Sequence, residues 1–234
     1  MLQAIFHAIN PASKGSEPVT AAVARKLIHA GRAPDNLHVQ GMLDLSNSSA
    51  LVSLPLGLRV DSLDLSNCGA LKSLPANLRL RCLKLNIDLT NSAKLEALPM
   101  GLSVGSLLLR DCRNLESLPE DLNVFFLDIS GCAALRDWPQ RGSIRFGHLR
   151  AQGCAELRSL SAWIGNVSQL DLRDCTSIQS LPEGLMVNTW LDLANTGITS
   201  LPPEFKDMPL RWRGVPVDAR IACLLYTSPS PRDS

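Results

Sequence analysis

The sequence predicts an α/β solenoid, in which about eight short repeats stack into one parallel β-sheet behind an N-terminal helix. Residues 104–119 (VGSLLLRDCRNLESLP) have a skeleton that recurs in residues 60–75, 124–139 and 167–182. A Leu-Pro landmark also returns along the chain at steps of 20 to 24 residues. Self-similarity at a fixed period of this length is the signature of stacked-repeat folds.

Composition excludes several classes of protein. Among 234 residues, 45% are hydrophobic, and 23 basic residues against 22 acidic ones leave a formal net charge of +1. This balance offers no electrostatic footprint for nucleic acid or for an anionic membrane. No apolar run approaches the roughly 20 residues that span a bilayer, and residues 1–10 lack the basic start of a signal peptide. We therefore expect a cytoplasmic protein, with a secreted effector as the alternative.

The N-terminal region is predicted to begin with an irregular stretch, residues 1–17, followed by a helical cap over residues 18–36. Pro18 suits a first helical turn, and Gly31 suits a helix stop, which places the helix at residues 18–30. Its apolar residues recur every fourth position: Val19, Val23 and Leu27. We expect this stripe to cover the first repeat, which has only one neighbour in the stack.

The repeats are predicted to occupy residues 37–205. In each unit two leucines alternate with outward residues, as Leu63 and Leu65 do around Asp64, so that one row is core and the other is surface. A unit of about 20 residues cannot bury its own leucines, and it therefore stacks on the next unit. Insertions are expected at residues 82–86 in the third repeat and near residues 142–144 in the sixth.

The repeat pattern resembles leucine-rich repeats, L-x-x-L-x-L-x-x-N/C-x-L, across most of the chain. It is most similar to the short LPX type found in bacterial effector proteins. A more distant likeness is to plant resistance-protein repeats, through the run Ile129-Ser130-Gly131-Cys132. The resemblance implies a horseshoe with its parallel sheet on the concave face and a mostly extended or turn-like convex side.

The C-terminal residues depart from the period. Residues 206–222 could cap the last repeat or begin a further module. In the tail, residues 223–234, the stretch CLLYTSPSPRD resembles a translated sequencing adaptor, so we expect a non-native segment without function. The alternative is a natural, disordered Ser/Pro-rich tail.

Five of the seven cysteines share one repeat position, which we call the thiol column. Its members are Ser48, Cys68, Ser92, Cys112, Cys132, Cys154 and Cys175. This position is predicted to be a buried turn with reduced, unreactive thiols, because free cysteine is among the most buried residue types. No C-x-x-C pair occurs and the histidines are scattered, so the sequence predicts neither a metal nor another cofactor.

Catalytic motifs are not predicted in this chain. Residues 101–105 formally match G-x-S-x-G, but here the predicted strand follows the serine instead of preceding it, so the match is attributed to chance. Walker, H-E-x-x-H and dinucleotide-binding patterns do not occur. The chain is therefore expected not to be an enzyme.

Three columns of outward residues are predicted on the concave face. The middle column is Asp44, Asp64, Asp88, Leu108, Asp128, Arg150, Asp171 and Asp192. The first flanking column is Met42, Ser62, Asn86, Ser106, Phe126, His148, Gln169 and Trp190. The second flanking column is Ser46, Ser66, Thr90, Arg110, Ser130, Gln152, Arg173 and Ala194.

The aspartates of the middle column have two interpretations. They either keep the surface solvated or form an acidic stripe that meets a basic partner. The arginines of repeats four to eight could pair with them, whereas exposed aromatic residues are typical of interface hot spots. The predicted partner-binding residues are Leu108, Arg110, Phe126, Asp128, His148, Arg150, Gln152, Gln169, Asp171, Arg173, Trp190 and Asp192.

The sequence therefore favours a protein–protein interaction module that binds a protein or peptide through its concave face. As the alternative, the likeness to effector proteins implies the substrate-recognition part of a larger enzyme, such as a bacterial ubiquitin ligase, whose catalytic domain would follow the repeats. A third interpretation is a structural scaffold with a solubilising acidic face.

Overall fold

The computed structural model describes residues 17–75, 77–80, 86–202, 205 and 211–213. Its elements in chain order are β1 (Val19–Thr20), α1 (Ala21–His29), β2 (Val39–Gln40), β3 (Met42–Asp44), β4 (Arg59–Val60), β5 (Ser62–Asp64), β6 (Arg79–Leu80), β7 (Asn86–Asp88), β8 (Ser103–Leu108), β9 (Leu122–Asp128), β10 (Gly142–Arg150), β11 (Asn166–Asp171), β12 (Met186–Asp192) and β13 (Arg211–Arg213). The described chain is a parallel β-solenoid with about eight stacked coils and very little helix. The predicted repeat solenoid is confirmed.

One main sheet runs the length of the described solenoid. Nine strands lie in the order β13-β12-β11-β10-β9-β8-β7-β5-β3, and each neighbour is parallel. Two short ladders, β1 with β2 and β4 with β6, lie outside it. Each coil thus adds one strand beside the strand of the previous coil, as the stacking of incomplete repeats requires.

The two predicted rows of strand-end leucines lie in the core. Leu43, Leu63, Leu107 and Leu127 are 0–1% exposed, and their partners two residues later are equally buried. In every coil these side chains pack against those of the next coil and form one continuous hydrophobic cluster. Burial of this row fixes the register, because a slip of one residue would turn all the leucines outward.

The N-terminal helix is shorter than predicted. The Val19 N–H donates to the His38 carbonyl at 2.8 Å, so residues 19–20 are extended and the helix begins at Ala21. Of the predicted stripe, Leu27 is buried, Val23 is half-buried and Val19 lies in β1, and the other buried residues of the helix are Ala24 and Ile28. The helix packs against β3, the first strand of the main sheet.

Each strand of the first eight coils leads into a left-handed turn. The turn residue has a φ of 57–75° in all eight coils: Asn47, Asn67, Asn91, Asp111, Gly131, Gly153, Asp174 and Asn195. Asn, Asp and Gly are the residues that tolerate this region. Amides also pair between coils, as Asn67 Nδ2 donates to Asn47 Oδ1 at 3.1 Å and Asn91 Nδ2 donates to Asn67 Oδ1 at 2.9 Å. We call these eight residues the turn column.

Insertions in β10 and β12 shift the register between the strands of the later coils. The register between β9 and β10 shifts between Ile144 and His148, where β10 has two more residues than β9. This bulge lies slightly later than the predicted insertion at residues 142–144. A smaller shift follows Val167, where Ser168 of β11 faces two residues of β12. Of the insertion in the third repeat, residues 81–85 lie outside the described part of the chain.

The C-terminal region contains a strand that the sequence analysis did not predict. β13 pairs with β12 in the register Trp190–Arg211, Leu191–Trp212 and Asp192–Arg213. Trp212 therefore occupies the register position of the core leucines. Three other predicted segments lie outside the described residues. They are the irregular N-terminus apart from residue 17, the remainder of the segment 206–222, and the tail 223–234.

Candidate interaction surface

The outward positions of the main sheet form what we call the open face. Strand register aligns the predicted columns: Asp44 pairs with Asp64, Leu108 with Asp128, and Arg150 with both Asp128 and Asp171. Phe126, His148, Gln169 and Trp190 likewise lie side by side in the first flanking column. The second flanking column stacks through turn-column N–H groups, for example from Gly131 to the Gln152 carbonyl at 2.8 Å. The structure thus brings all twelve predicted partner-binding residues to one face.

The aspartates of the middle column have a backbone role that sequence reasoning missed. In each of the six, carboxylate Oδ1 accepts a hydrogen bond from the backbone N–H two residues later, at 2.9–3.2 Å. This is an Asx turn, which holds the strand end in place for the turn column. The sequence pattern that indicates this role is the recurrence of Asp two residues before each position of the second flanking column. For Asp44, hydrogen bonds from the Ser46 side chain and then from its backbone N–H lower the pKa of the carboxyl.

Three of the aspartates are not exposed, which corrects the prediction of an outward acidic stripe. Asp128 and Asp192 are 0% exposed and Asp171 is 4% exposed. Arginines of the second flanking column lie over them, because Arg110 Nε approaches Asp128 Oδ2 at 2.6 Å. Ion pairing of this kind is what permits a carboxylate to be buried.

Arg173 joins three neighbouring coils. Its guanidinium forms a two-point contact with Asp171, at 2.9 Å through Nε and 2.7 Å through an Nη. The same side chain lies 3.5 Å from Asp192 Oδ2 and donates to Gln152 Oε1 at 3.1 Å. The Asp171 contact raises the pKa of Arg173. Arg110, Arg173 and Gln152 are therefore occupied by contacts within the protein.

An aromatic and cationic cluster lies at the centre of the open face. The Arg150 guanidinium carbon is 5.4 Å from the centroid of the Phe126 ring, within the range of a cation–π contact. His148 meets the same ring edge-on, with centroids 5.9 Å apart. Burial and the nearby Arg150 charge lower the pKa of His148, so its imidazole is neutral at pH 7.

Phe125 precedes the Phe126 of this cluster in β9, although the sequence analysis did not select it. Its side chain is 56% exposed beside the half-buried Phe126. The spacing Val124-x-x-Leu127 indicates its exposure, because neither residue between these two buried positions is itself buried. The strand beside it needs glycine, since a Cβ on Gly147 would overlap the Phe125 carbonyl oxygen. The bulge of β10 thus passes against the backbone of this aromatic pair.

The thiol column is structural, as the bonding of its members indicates. Cys68, Cys112, Cys132, Cys154 and Cys175 are free, 0% exposed, and each Sγ donates to a backbone carbonyl of the preceding coil at 2.9–3.3 Å. Ser92 makes the equivalent bond to the Leu65 carbonyl at 3.3 Å. Burial raises the pKa of Cys112 to about 12. No group of potential metal ligands occurs among the described residues.

A pair of tryptophans lies outside the open face. Trp138 and Trp163 pack edge to face with centroids 5.6 Å apart. Their indole N–H groups donate to the carbonyls of Ser159 and Pro139 at 3.0 and 2.8 Å. Because both polar groups bond within the protein, this pair is packing between adjacent coils.

Comparison with known proteins gives no relative for this chain: no family model, no curated protein and no solved structure matches it. Within the described ranges, no helix is long and apolar enough to cross a membrane.

Proposed function

We propose that this chain is a leucine-rich-repeat module that binds a protein or peptide partner across the open face. Helix α1 would cap the first coil, and the open face would be the concave side of the horseshoe. The proposal is supported chiefly by the cluster of Phe126 and Arg150, with Phe125 exposed beside it, on strands whose buried aspartates are already paired with arginines. Exposed aromatic residues beside an arginine are the composition of interface hot spots.

The rest of the open face supports the same proposal. Trp190 is half-buried in the first flanking column, and Gln169 lies between it and His148. These side chains stand on strands held by core leucines and ion pairs, so the surface is rigid before binding. A preorganised surface loses little conformational entropy when a partner binds.

The test is affinity capture with the Phe126→Ala, Trp190→Ala double variant. We expect partners retained by the unchanged chain to be lost, because truncation of a hot-spot aromatic typically weakens binding by more than tenfold. Bound partners would be identified by mass spectrometry and their affinities measured with purified proteins. Circular dichroism would establish that the variant keeps its fold.

The matched control is Val52→Ala with Met100→Ala. These apolar side chains are 59% and 72% exposed and lie outside the strands of the main sheet. The control variant should bind normally. Equal retention of every partner by the Phe126→Ala, Trp190→Ala variant would refute binding at the open face.

A further inference from the structure

We infer that the partner is an acidic protein segment, with one carboxylate bound by Arg150 and an adjacent apolar side chain packed on Phe125 and Phe126. This inference rests on the proposed function and adds the chemistry of the partner. It reverses the sign of the sequence-based alternative, in which the aspartate stripe would meet a basic partner.

The aspartates beside Arg150 are already paired. In register, Arg150 lies between Asp128 of β9 and Asp171 of β11. Asp128 is bound by Arg110 at 2.6 Å, and Asp171 is bound by Arg173 at 2.7 Å. Among the described residues, no carboxylate lies within 4 Å of the Arg150 guanidinium. Arg150 therefore has no ion-pair partner among the described residues.

The contact with Phe126 prepares Arg150 for a carboxylate. The contact with the ring is electrostatic and leaves the N–H donors of the guanidinium without an acceptor oxygen among the described residues. The donors can therefore form a two-point contact with a partner carboxylate. Surrounding aromatic surface would exclude water from that contact and strengthen it.

The remaining charges favour an acidic partner at this end of the sheet. His148 is neutral at pH 7, so Arg150 carries the positive charge of the aromatic cluster. At the other end of the main sheet, Asp44, Asp64 and Asp88 lie on β3, β5 and β7. Asp44 pairs with Arg25 at 3.7 Å, whereas Asp64 and Asp88 have no cation within 4 Å among the described residues and would repel an acidic segment. We therefore place the partner across β9 to β12.

A protein segment fits better than a nucleic acid. Binding of a phosphate backbone needs several cations that are available together. Arg110 and Arg173 of the second flanking column are neutralised by buried aspartates. The contact of Arg150 with the Phe126 ring matches a carboxylate next to an apolar side chain.

The inference is tested by selecting binders from a library of random 12-residue peptides displayed on phage, with the full chain as bait. We expect the selected peptides to be enriched in Asp or Glu next to an apolar residue. Synthetic copies should bind the Arg150→Gln variant at least tenfold more weakly, and their affinity for the unchanged chain should fall as salt is added. Arg158→Gln is the control, because Arg158 is exposed outside the strands and should not affect binding.

Other outcomes separate the two proposals. Peptides that require Phe126 but show no carboxylate enrichment, or that bind Arg150→Gln normally, would overturn this inference and leave the proposed function intact. If a single-stranded oligonucleotide bound at the same affinity and lost binding in the Arg150→Gln variant, the acidic-peptide inference would also be wrong. Failure to select any peptide that depends on Phe126, Trp190 or Arg150 would overturn both proposals.

Discussion

At the scale of single residues, identical aspartates of the middle column have different surroundings. Asp64 and Asp128 both accept the backbone N–H two residues later. Asp64 is half-buried with no cation within 4 Å among the described residues, whereas Asp128 is completely buried beneath Arg110. Position along the solenoid, and not residue type, therefore decides how much each carboxylate contributes to stability.

This difference predicts unequal effects of two alanine substitutions. Asp64→Ala should lower the free energy of unfolding by about 1 kcal/mol, the usual contribution of one such hydrogen bond. Asp128→Ala should lower it by about 3 kcal/mol, because it also removes an ionic contact and leaves a buried gap. Urea unfolding followed by circular dichroism would measure both, and equal losses would contradict the assigned role of Arg110.

At the scale of the elements, each coil depends on the turn that follows its strand. In six of the eight coils the strand ends in an Asx turn. The residue three positions after the aspartate adopts a left-handed conformation, and its N–H bonds to the following coil, as that of Asn67 does to Thr90. In the first coils the asparagine side chains add a second bond along the stack. Backbone conformation and side-chain bonding thus contribute separately to the turn column.

Two variants of Asn67 can separate these contributions. Asn67→Gly removes the side-chain bonds but tolerates a φ of 59°, whereas Asn67→Ala removes the bonds and is also strained. We expect Asn67→Ala to be less stable than Asn67→Gly by about 1 kcal/mol. The measurement is the thermal unfolding midpoint of each variant, and a more stable Asn67→Ala would argue against the left-handed turn.

At the scale of the whole molecule, the thiol column runs through the solenoid as a row of buried donors. Every described thiol bonds to the preceding coil, and Ser92 shows that a hydroxyl can do the same. Burial raises the pKa of each of the thiols Cys68, Cys112 and Cys132 above the ordinary value of a cysteine. These thiols remain protonated at neutral pH and act only as donors and packing groups.

The raised pKa values predict that the solenoid loses stability in alkali. The pKa of Cys112 is 9.0 for an ordinary thiol and about 12 in the folded chain, so between these values Cys112 ionises mainly when the chain unfolds. The folded state then holds more protons, so stability falls as pH rises, by at most about 1.4 kcal/mol per pH unit for each thiol. Urea unfolding with reductant at pH 8.5 and pH 10.5 should therefore show a smaller loss for Cys112→Ser than for the unchanged chain. An equal loss would contradict the assignment.

Repetition decided how much the sequence could predict. The rows of Leu63 and Leu65, the thiol column and the alignment of the outward columns follow from a period repeated eight times, and the structure reproduces them. Burial of Asp128 could not be predicted, because it depends on where one arginine of the next column places its guanidinium. β13 was missed because Trp212 stands where the period has leucine. Strict alternation of buried and outward residues does not predict that Phe125 is exposed, because two residues stand between the buried Val124 and Leu127.

The parallel pairing of coils also has a mechanical consequence. Hydrogen bonds between neighbouring strands, such as β9 and β10, run along the stack and not across it. A force pulling the two ends of the solenoid apart would therefore load one coil's bonds at a time and peel the coils off in sequence. Each released coil of about 20 residues would lengthen the chain by roughly 70 Å, at about 3.5 Å per residue. Such a molecule would unfold coil by coil at low force. A fold whose strands are pulled in shear would instead unfold in one step at a higher force.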